Sequence, residues 1–458
     1  MMPLDGRRVL VMGLGLFGGG VGAVRFLCRE GARVTVTDLR TADALRESLR
    51  TLESLPVVYR LGGHEAEDFR AADLIVANPG VPRSSPFLNV AGKRGIPVTT
   101  EICLFAERCR APVVGITGSS GKTTTTSLVG EMMRRGNPGT MVGGNIGGSL
   151  LDELDEITAD TRVVLELSSF QLDRLADLQW SPQTAVITNF APNHLDIHGS
   201  LEAYKTAKKQ IIAHQDVRDV TVLNGDDPEV RRWPGDGRRI VFSTQPASGS
   251  DVYVDDGEIR HRIGRSEQTV CPAGAVALPG GHNLSNALAA CAAALSNGVT
   301  EADIAAVLRT FKGVPHRLER VAEIRDVTYY NDSIATSPDR TQVALSALPP
   351  GVVLIAGGYD KGLAFDALGR QIGRGVSHLI LTGRTADAIA ASVPAGSPTR
   401  ILRVNSLDDA VTAAARRAGQ GNTVLFSPAS ASYDCFRNYA ERGERFRQLV
   451  LNLRSCDG

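Results

Sequence analysis

Short runs of valine, isoleucine and leucine recur along the chain, each followed by a stretch long enough for a helix. RRVLVMGLG, ARVTVTD and ADLIVANPG fall in the first hundred residues, and APVVGITG, TRVVLELS, TAVITNF and VTVLNGD follow by about residue 225. VVLIAGG, HLILTG and NTVLFSP lie in the last third. Strands that alternate with helices build parallel sheets covered on both faces, because a parallel neighbour needs a crossover rather than a tight turn. The pattern sets the fold class as α/β. Functional groups then gather where strands end and the next loop begins.

A chain of 458 residues allows roughly three domains of about 150 residues each. Two breaks divide it. IPVTTEICLFAERCR closes one block before APVVGITG, and FKGVPHRLERV closes an Ala-rich helical stretch before the last sheet. The expected domains are 1–105, 106–313 and 314–458. The polar segment from about 230 to 280 is expected to form short antiparallel strands within the middle domain. No internal repeat or low-complexity tract appears.

Fifty basic residues balance fifty acidic ones, so no global charge favours nucleic acid or a membrane surface. The seven cysteines, 28, 103, 109, 271, 291, 435 and 456, contain no CxxC pair. An odd number without that spacing points to a reducing compartment, and the cytoplasm is expected. Arg7 and Arg8 precede an apolar run, but its many glycines and the strand-like sequence after it argue against a signal peptide. No run approaches the roughly 18 apolar residues of a membrane-spanning helix.

Two glycine loops follow strands. GLGLFG, Gly13 to Gly18, has Asp38 about twenty residues further on, at the end of the next strand. That spacing fits a loop whose backbone N–H groups receive a diphosphate at a helix N-terminus, and it also fits a tight turn with glycines for packing. GITGSSGKTTTT, Gly115 to Thr126, places a strand, a glycine loop, a lysine and a hydroxyl in order. It departs from the Walker-A pattern, whose first glycine would fall at Ile116. Lys122 would reach the β- and γ-phosphates, and Thr123 could hold Mg²⁺.

One strand later, VVLELSSFQL puts Glu166 at the end of an apolar run, where a carboxylate can hold a magnesium ion or cap the next helix. In NFAPNHLDIHG, His194, Asp196 and His198 invite a zinc reading, which the absence of partner cysteines and of HExxH spacing disfavours. Lys208 falls on the amphipathic helix that follows, where a lysine is commonly solvated.

Together these motifs resemble the Mur ligases, which extend the peptide of the cell-wall precursor, and the resemblance runs from GLGLFG to SYDCFRNYAERGERF. The family's ATP loop reads GxxGKT/S, which accounts for the departure from Walker A. The resemblance implies a Rossmann-like uridine-nucleotide domain, a central P-loop-type ATPase domain with a mainly parallel sheet, and a Rossmann-like C-terminal domain that binds the amino acid. It implies ATP contacts at Gly118, Ser119, Ser120, Gly121, Lys122, Thr123, Thr124, Asn286, Arg317 and Asp332. His282 and Asn283 accompany Asn286 in GGHNLSNALAA. Uridine-substrate contacts are implied at Gly15, Leu16, Phe17, Asp38, Arg40, Asn78, Gly80, Asn145 and Ser168. The amino-acid pocket would use Thr336, Lys361, Ser432 and Tyr439.

Magnesium ligands implied by the resemblance are Thr123, Glu166, His194 and a carbamate, derived from carbon dioxide, on Lys208; Lys122, His194 and Lys208 would be catalytic. The departures are Ser120 where asparagine is common, Ile334 where lysine is common, Phe17 where a small hydroxyl is common, and Tyr439 where phenylalanine also occurs. The implied reaction joins D-glutamate to UDP-N-acetylmuramoyl-L-alanine through an acyl phosphate, with ATP and Mg²⁺. L-glutamate or another amino acid on the same plan, as in a folylpolyglutamate synthase, is the alternative. A nucleotide-binding module without turnover, or more distantly a nicotinamide dehydrogenase, belongs to a different class. The expected partners are small molecules, with no nucleic acid and no membrane, and the expected state is a monomer.

Overall fold

The computed structural model describes residues 3–453 apart from 16, 17, 147, 194, 247, 248, 265, 279 and 361. The described residues form three sheets. The first contains β1 (Arg8–Met12), β2 (Arg33–Asp38), β3 (Val57–Leu61), β4 (Leu74–Ala77) and β5 (Val98–Thr99), all parallel in the order 3-2-1-4-5. The strand order reverses at β1, so the crevice between the ends of β1 and β4 is where such a sheet binds ligands.

The second sheet contains β6 (Val113–Thr117), β7 (Thr140–Gly144), β8 (Arg162–Glu166), β9 (Thr184–Ile187), β10 (Val220–Asn224), β11 (Arg238–Ser243), β12 (Val252–Asp255), β13 (Glu258–His261) and β14 (Gln268–Pro272). Its order is 14-13-12-11-10-9-6-8-7. β6 lies between β8 and β9, so the loop after β6 is flanked by the ends of both. All five residues of β6 are buried, as a central parallel strand covered on both faces requires.

The antiparallel expectation for residues 230–280 holds for β12, β13 and β14. It fails for β11, which pairs parallel with β10 and with β12. Exposed Arg238 and Arg239 precede buried Ile240 and Phe242, and that mixed polarity hid a strand continuing the parallel sheet.

The third sheet contains β15 (Glu319–Ile324), β16 (Val327–Asn331), β17 (Val352–Ala356), β18 (Val376–Leu381), β19 (Arg400–Arg403) and β20 (Thr423–Phe426), ordered 15-16-20-17-18-19. Only the β15–β16 hairpin is antiparallel.

The chain forms two compact units, residues 1–311 and 312–458. Within the first, one apolar core joins the first two sheets, running from Val9 and Val11 through Leu104 and Phe105 to Val113, Val163 and Leu165. The helix Glu101–Arg108 carries that bridge, so the first sheet is fixed against the second.

Candidate active site

The loop after β6 is built around two glycines. Gly121, the N-cap of the helix Lys122–Gly136, has φ +78°, and a Cβ there would collide with the Asn286 side chain. A Cβ on Gly118 would collide with Thr188 Oγ1. A side chain at either site would have to displace that neighbour, and Gly121 is further restricted by its left-handed backbone.

The residues after β9 latch the loop from the other side. Ser120 N–H donates to Asn189 Oδ1 at 2.9 Å, Asn189 Nδ2 donates to the Ser120 carbonyl at 3.1 Å, and Thr188 Oγ1 donates to that carbonyl at 2.6 Å. Ser119 Oγ donates to the Ala191 carbonyl at 2.8 Å and lies 3.1 Å from the Tyr204 hydroxyl. A rigid loop opening a 15-residue helix is a ready anion site, because the first backbone N–H groups of a helix lack internal partners. Thr124 lies in the first turn of that helix. Lys122 Nζ curls back to the Gly118 carbonyl at 2.9 Å.

Glu166 ends β8 beside this loop and is 2% exposed. Thr123 Oγ1 donates to its Oε2 at 2.6 Å, and Asn145 Nδ2 donates to its Oε1 at 2.8 Å. A buried carboxylate and a hydroxyl, both hard oxygen donors next to a phosphate loop, fit a magnesium ion. Asn145 belongs to the loop after β7, so this one carboxylate ties that loop to the phosphate loop.

Lys208 is 1% exposed. Its Nζ donates to the Gly118 carbonyl at 2.7 Å and lies 4.8 Å from the centre of the Tyr204 ring. Burial, helped by the nearby Lys122 charge and opposed by Glu166, pushes its pKa down to about 6. The shift favours the uncharged amine. His198 pairs with Ser169 Oγ at 2.9 Å and stacks on Phe170 with ring centres 5.0 Å apart. His194, Leu16, Phe17 and Lys361 lie outside the described residues.

A second site lies between the first two sheets. A cleft is lined by the turn at Gly13, by Gly19 and Gly20 at the start of the helix Gly19–Arg29, and by Asn78, Gly80, Asn145 and Ser168. Asp38 is buried, and its carboxylate accepts from Gly15 N–H at 3.3 Å and Arg40 N–H at 2.9 Å. It holds the turn from the adjoining strand. The Arg40 guanidinium lies 3.7 Å from the same carboxylate.

In the unit 312–458, the loops after β16 and β20 meet. Asp332 accepts from Leu318 N–H at 3.0 Å and from Ser427 Oγ at 2.7 Å, and burial pushes its pKa up to about 6. Arg317 stands beside Leu318, with its N–H donating to the Val314 carbonyl. Buried Arg442 donates to the Ser333, Ser430 and Ala431 carbonyls, and Thr336 and Ser432 are also buried. Tyr439 starts the helix Tyr439–Asn452, and its carbonyl accepts from Ser333 Oγ at 2.7 Å. Ile334 N–H donates to the His316 carbonyl.

The structure thus brings Gly118, Ser119, Ser120, Gly121, Lys122, Thr123, Glu166, Lys208 and Asn286 together around one loop. Sequence reasoning missed Thr188 and Asn189. Their signal was present in TAVITNF, where two polar residues directly follow a buried strand.

Family models match along the chain: "Mur ligase MurD-like, N-terminal domain" over residues 7–100, "Mur ligase middle domain" over 116–294, and "Mur ligase, glutamate ligase domain" over 316–430. The UDP-N-acetylmuramoylalanine–D-glutamate ligase of Roseiflexus sp. (strain RS-1) is 43% identical, with 98% of this chain and 99% of the relative covered. The enzyme of the same name from Symbiobacterium thermophilum is 41% identical, with 97% and 98% covered. Among solved structures, the murein peptide ligase of Psychrobacter arcticus superposes with a TM-score of 0.55 at 16% identity, over 97% of this chain and 99% of that one. The UDP-N-acetylmuramate–alanine ligase of Thermotoga maritima gives 0.53 at 20%, over 98% and 100%. At those identities the superpositions speak for the three-domain fold alone.

Proposed function

The chain belongs to the Mur ligase family, and from that premise we propose that it joins D-glutamate to UDP-N-acetylmuramoyl-L-alanine with ATP, as a step in making peptidoglycan precursor. The observation that carries the reading is Glu166, one oxygen on Thr123 of the phosphate loop and the other on Asn145 of the cleft wall. A nucleotide triphosphate and a second substrate held on either side of that carboxylate would have their reacting ends close together.

In this reading a carboxylate oxygen of the uridine substrate attacks the γ-phosphorus, the bond to the β–γ bridging oxygen breaks, and ADP leaves. The glutamate nitrogen then attacks the acyl-phosphate carbonyl carbon, phosphate departs with the C–O electron pair, and the nitrogen loses a proton. Lys122 offsets charge on the transferring phosphoryl group, and the helix N-terminus behind it holds the phosphates in line. Magnesium, when bound, neutralises phosphate oxygens; Thr123, Glu166 and His194 would hold it.

Lys208 would complete that set as a carbamate. Its uncharged Nζ has the lone pair needed to attack the carbon of carbon dioxide, forming an N–C bond and releasing a proton. The product is a hard anionic oxygen donor. We assign ATP also to Ser119, Ser120, Thr124, Asn286, Arg317 and Asp332. The uridine substrate falls to Gly15, Leu16, Phe17, Asp38, Arg40, Asn78, Gly80, Asn145 and Ser168, and glutamate to Thr336, Lys361, Ser432 and Tyr439. The corresponding domains are 1–105, 106–313 and 314–458. The enzyme is assigned to the cytoplasm as a monomer.

Ligation assays with UDP-N-acetylmuramoyl-L-alanine and a panel of amino acids, D- and L-glutamate in parallel, test the reading. ATP-dependent product with D-glutamate is expected. Preference for the L form overturns the stereochemistry, and absence of product with every amino acid overturns the reaction. For the carbamate, Lys208→Ala should be nearly inactive and partly restored by acetate. An active alanine variant removes that role.

A further inference from the structure

Two walls of the cleft assigned to the uridine substrate come from different sheets. Asn78, Pro79 and Gly80 follow β4 of the first sheet, and Ser168, Phe170 and Gln171 follow β8 of the second. A cleft built this way holds its ligand only as well as the two walls keep their spacing. The helix Ser169–Leu175 supplies a tie between them.

Arg174 lies four residues after Phe170 and three after Gln171, so helical spacing sets it on the same face as those two cleft residues. It is 7% exposed, and its Nη2 donates to the Val81 carbonyl at 2.9 Å. Val81 N–H donates in turn to the Asn78 carbonyl at 2.9 Å. Both backbone polar groups of Val81 are thus used, one toward Arg174 and the other toward Asn78. Asn78 is seated from its other side as well. Its N–H donates to the Met12 carbonyl at 2.8 Å, its Oδ1 accepts from Gly80 N–H at 3.0 Å, and a Cβ on Gly13 would stand only 3.0 Å from its own. Arg83, two residues past Val81, grips the same helix and the turn after it. Its Nε and Nη2 donate to the Asp173 carboxylate at 2.6 Å and the Asp173 carbonyl at 2.5 Å, and its Nη1 lies 3.0 Å from Asp177. Neither arginine is among the described residues that line the cleft.

We propose that Arg174, backed by Arg83, is a positioning residue for the nucleotide-sugar substrate: it fastens the loop after β4 to the helix Ser169–Leu175 and so sets where Asn78 stands in the cleft. The inference rests on the assignment of the cleft to that substrate. The two arginines differ in strength. Arg174 acts from a buried site, where a hydrogen bond is little screened, whereas the ion pairs of Arg83 are about half exposed and each contributes little. The phosphate loop is latched separately, by Thr188 and Asn189, so loss of the tie should leave it in place.

The test is steady-state kinetics on the full-length protein, with UDP-N-acetylmuramoyl-L-alanine varied at saturating ATP and D-glutamate. Arg174→Met removes the donor and keeps an unbranched stem. It should raise KM for the uridine substrate by roughly five- to tenfold, with kcat and the KM for ATP changed by less than about twofold. Because Arg174 acts through Asn78, the double variant with Asn78→Ala should have a KM no higher than Asn78→Ala alone. A wild-type KM in Arg174→Met, a fall in kcat with that KM unchanged, or losses that multiply in the double variant overturns the proposal. Melting temperatures establish that the variants are folded. Should Arg174→Met not fold, Arg83→Gln at low salt decides: a smaller rise in the same KM that disappears at high salt supports the tie, and a wild-type KM overturns it. Asn78→Ala separates the two layers. An unchanged KM there removes the cleft assignment itself, whereas a raised KM beside a normal Arg174→Met removes the positioning role alone.

Discussion

Two loops in the first unit share one local plan and differ in charge. Each follows a buried parallel strand, and each enters a helix through a left-handed glycine, Gly18 in one and Gly121 in the other. Around the second stand buried Glu166 and Lys208 and the ammonium of Lys122. Around the first, the charged groups that touch the loop are Asp38, which accepts from Gly15 N–H, and Arg40, which lies against that carboxylate, and no lysine lines the cleft among the described residues. The contrast follows from what each loop must do. Charge develops where a phosphoryl group moves, and fixed charges aimed there act on the transition state. A loop that only holds a ligand gains from donors that bind ground and transition states alike.

The largest effect that can break this contrast is on turnover. Lys122→Ala should lower kcat by about 10²-fold or more while leaving the fold intact. The matched change in the other loop, Asn78→Ala, should instead raise KM for the uridine substrate by roughly tenfold with kcat little changed, as expected for the loss of one neutral hydrogen bond. Steady-state kinetics on both variants decide it. Near-normal turnover of Lys122→Ala at saturating ATP would mean that the loop does not hold the γ-phosphate. An equal fall in kcat for Asn78→Ala would erase the distinction between the loops.

The next effect is on stability. A lysine kept uncharged by burial must give up its proton to fold. The unfolded chain therefore binds more protons than the native one between about pH 6 and the ordinary lysine value near 10.5, and stability rises with pH across that window. Lys208→Met, similar in volume and without an amine, should melt at least about 2 °C higher than wild type at pH 7 in the absence of ligands and carbon dioxide. Its advantage should be full at or below pH 6 and should shrink as pH rises toward 10.5. A variant that melts lower, or a gap that widens with pH, would show that the buried amine is not strained.

Much of this contrast was legible in the sequence, for physical reasons. Parallel strands buried on both faces leave continuous apolar runs, and glycine loops at their ends leave spacing, so the fold class and the neighbourhood of Lys122, Thr123 and Glu166 could be read directly. Contacts made across the sheet could not. Thr188 and Asn189 clamp the phosphate loop from about seventy residues away, and nothing local marks them except their place after a strand. Lys208 looks like any lysine on an amphipathic helix until the fold buries it. β11 was misread because its leading arginines are exposed.

The smallest effect concerns the two capping glycines and sharpens the comparison most. Gly18 has φ +90° and nothing within 4 Å of where a Cβ would stand. Gly18→Ala therefore carries only the strain of a left-handed backbone, about 1–2 kcal/mol, and should lower the melting temperature by roughly 2–6 °C. Gly121 has a similar φ of +78°, but its Cβ would meet the Asn286 side chain. Gly121→Ala carries the same strain and must also displace an amide that is itself held near Asn283, so its melting temperature should fall further. Adding Asn286→Ala should return part of that extra loss and none of the loss in Gly18→Ala. Thermal melts of the four variants without ATP measure this directly. Equal losses in the two single glycine variants would mean that the phosphate loop is no more crowded than the other one, and that its stiffness comes from the Thr188 and Asn189 clamp alone.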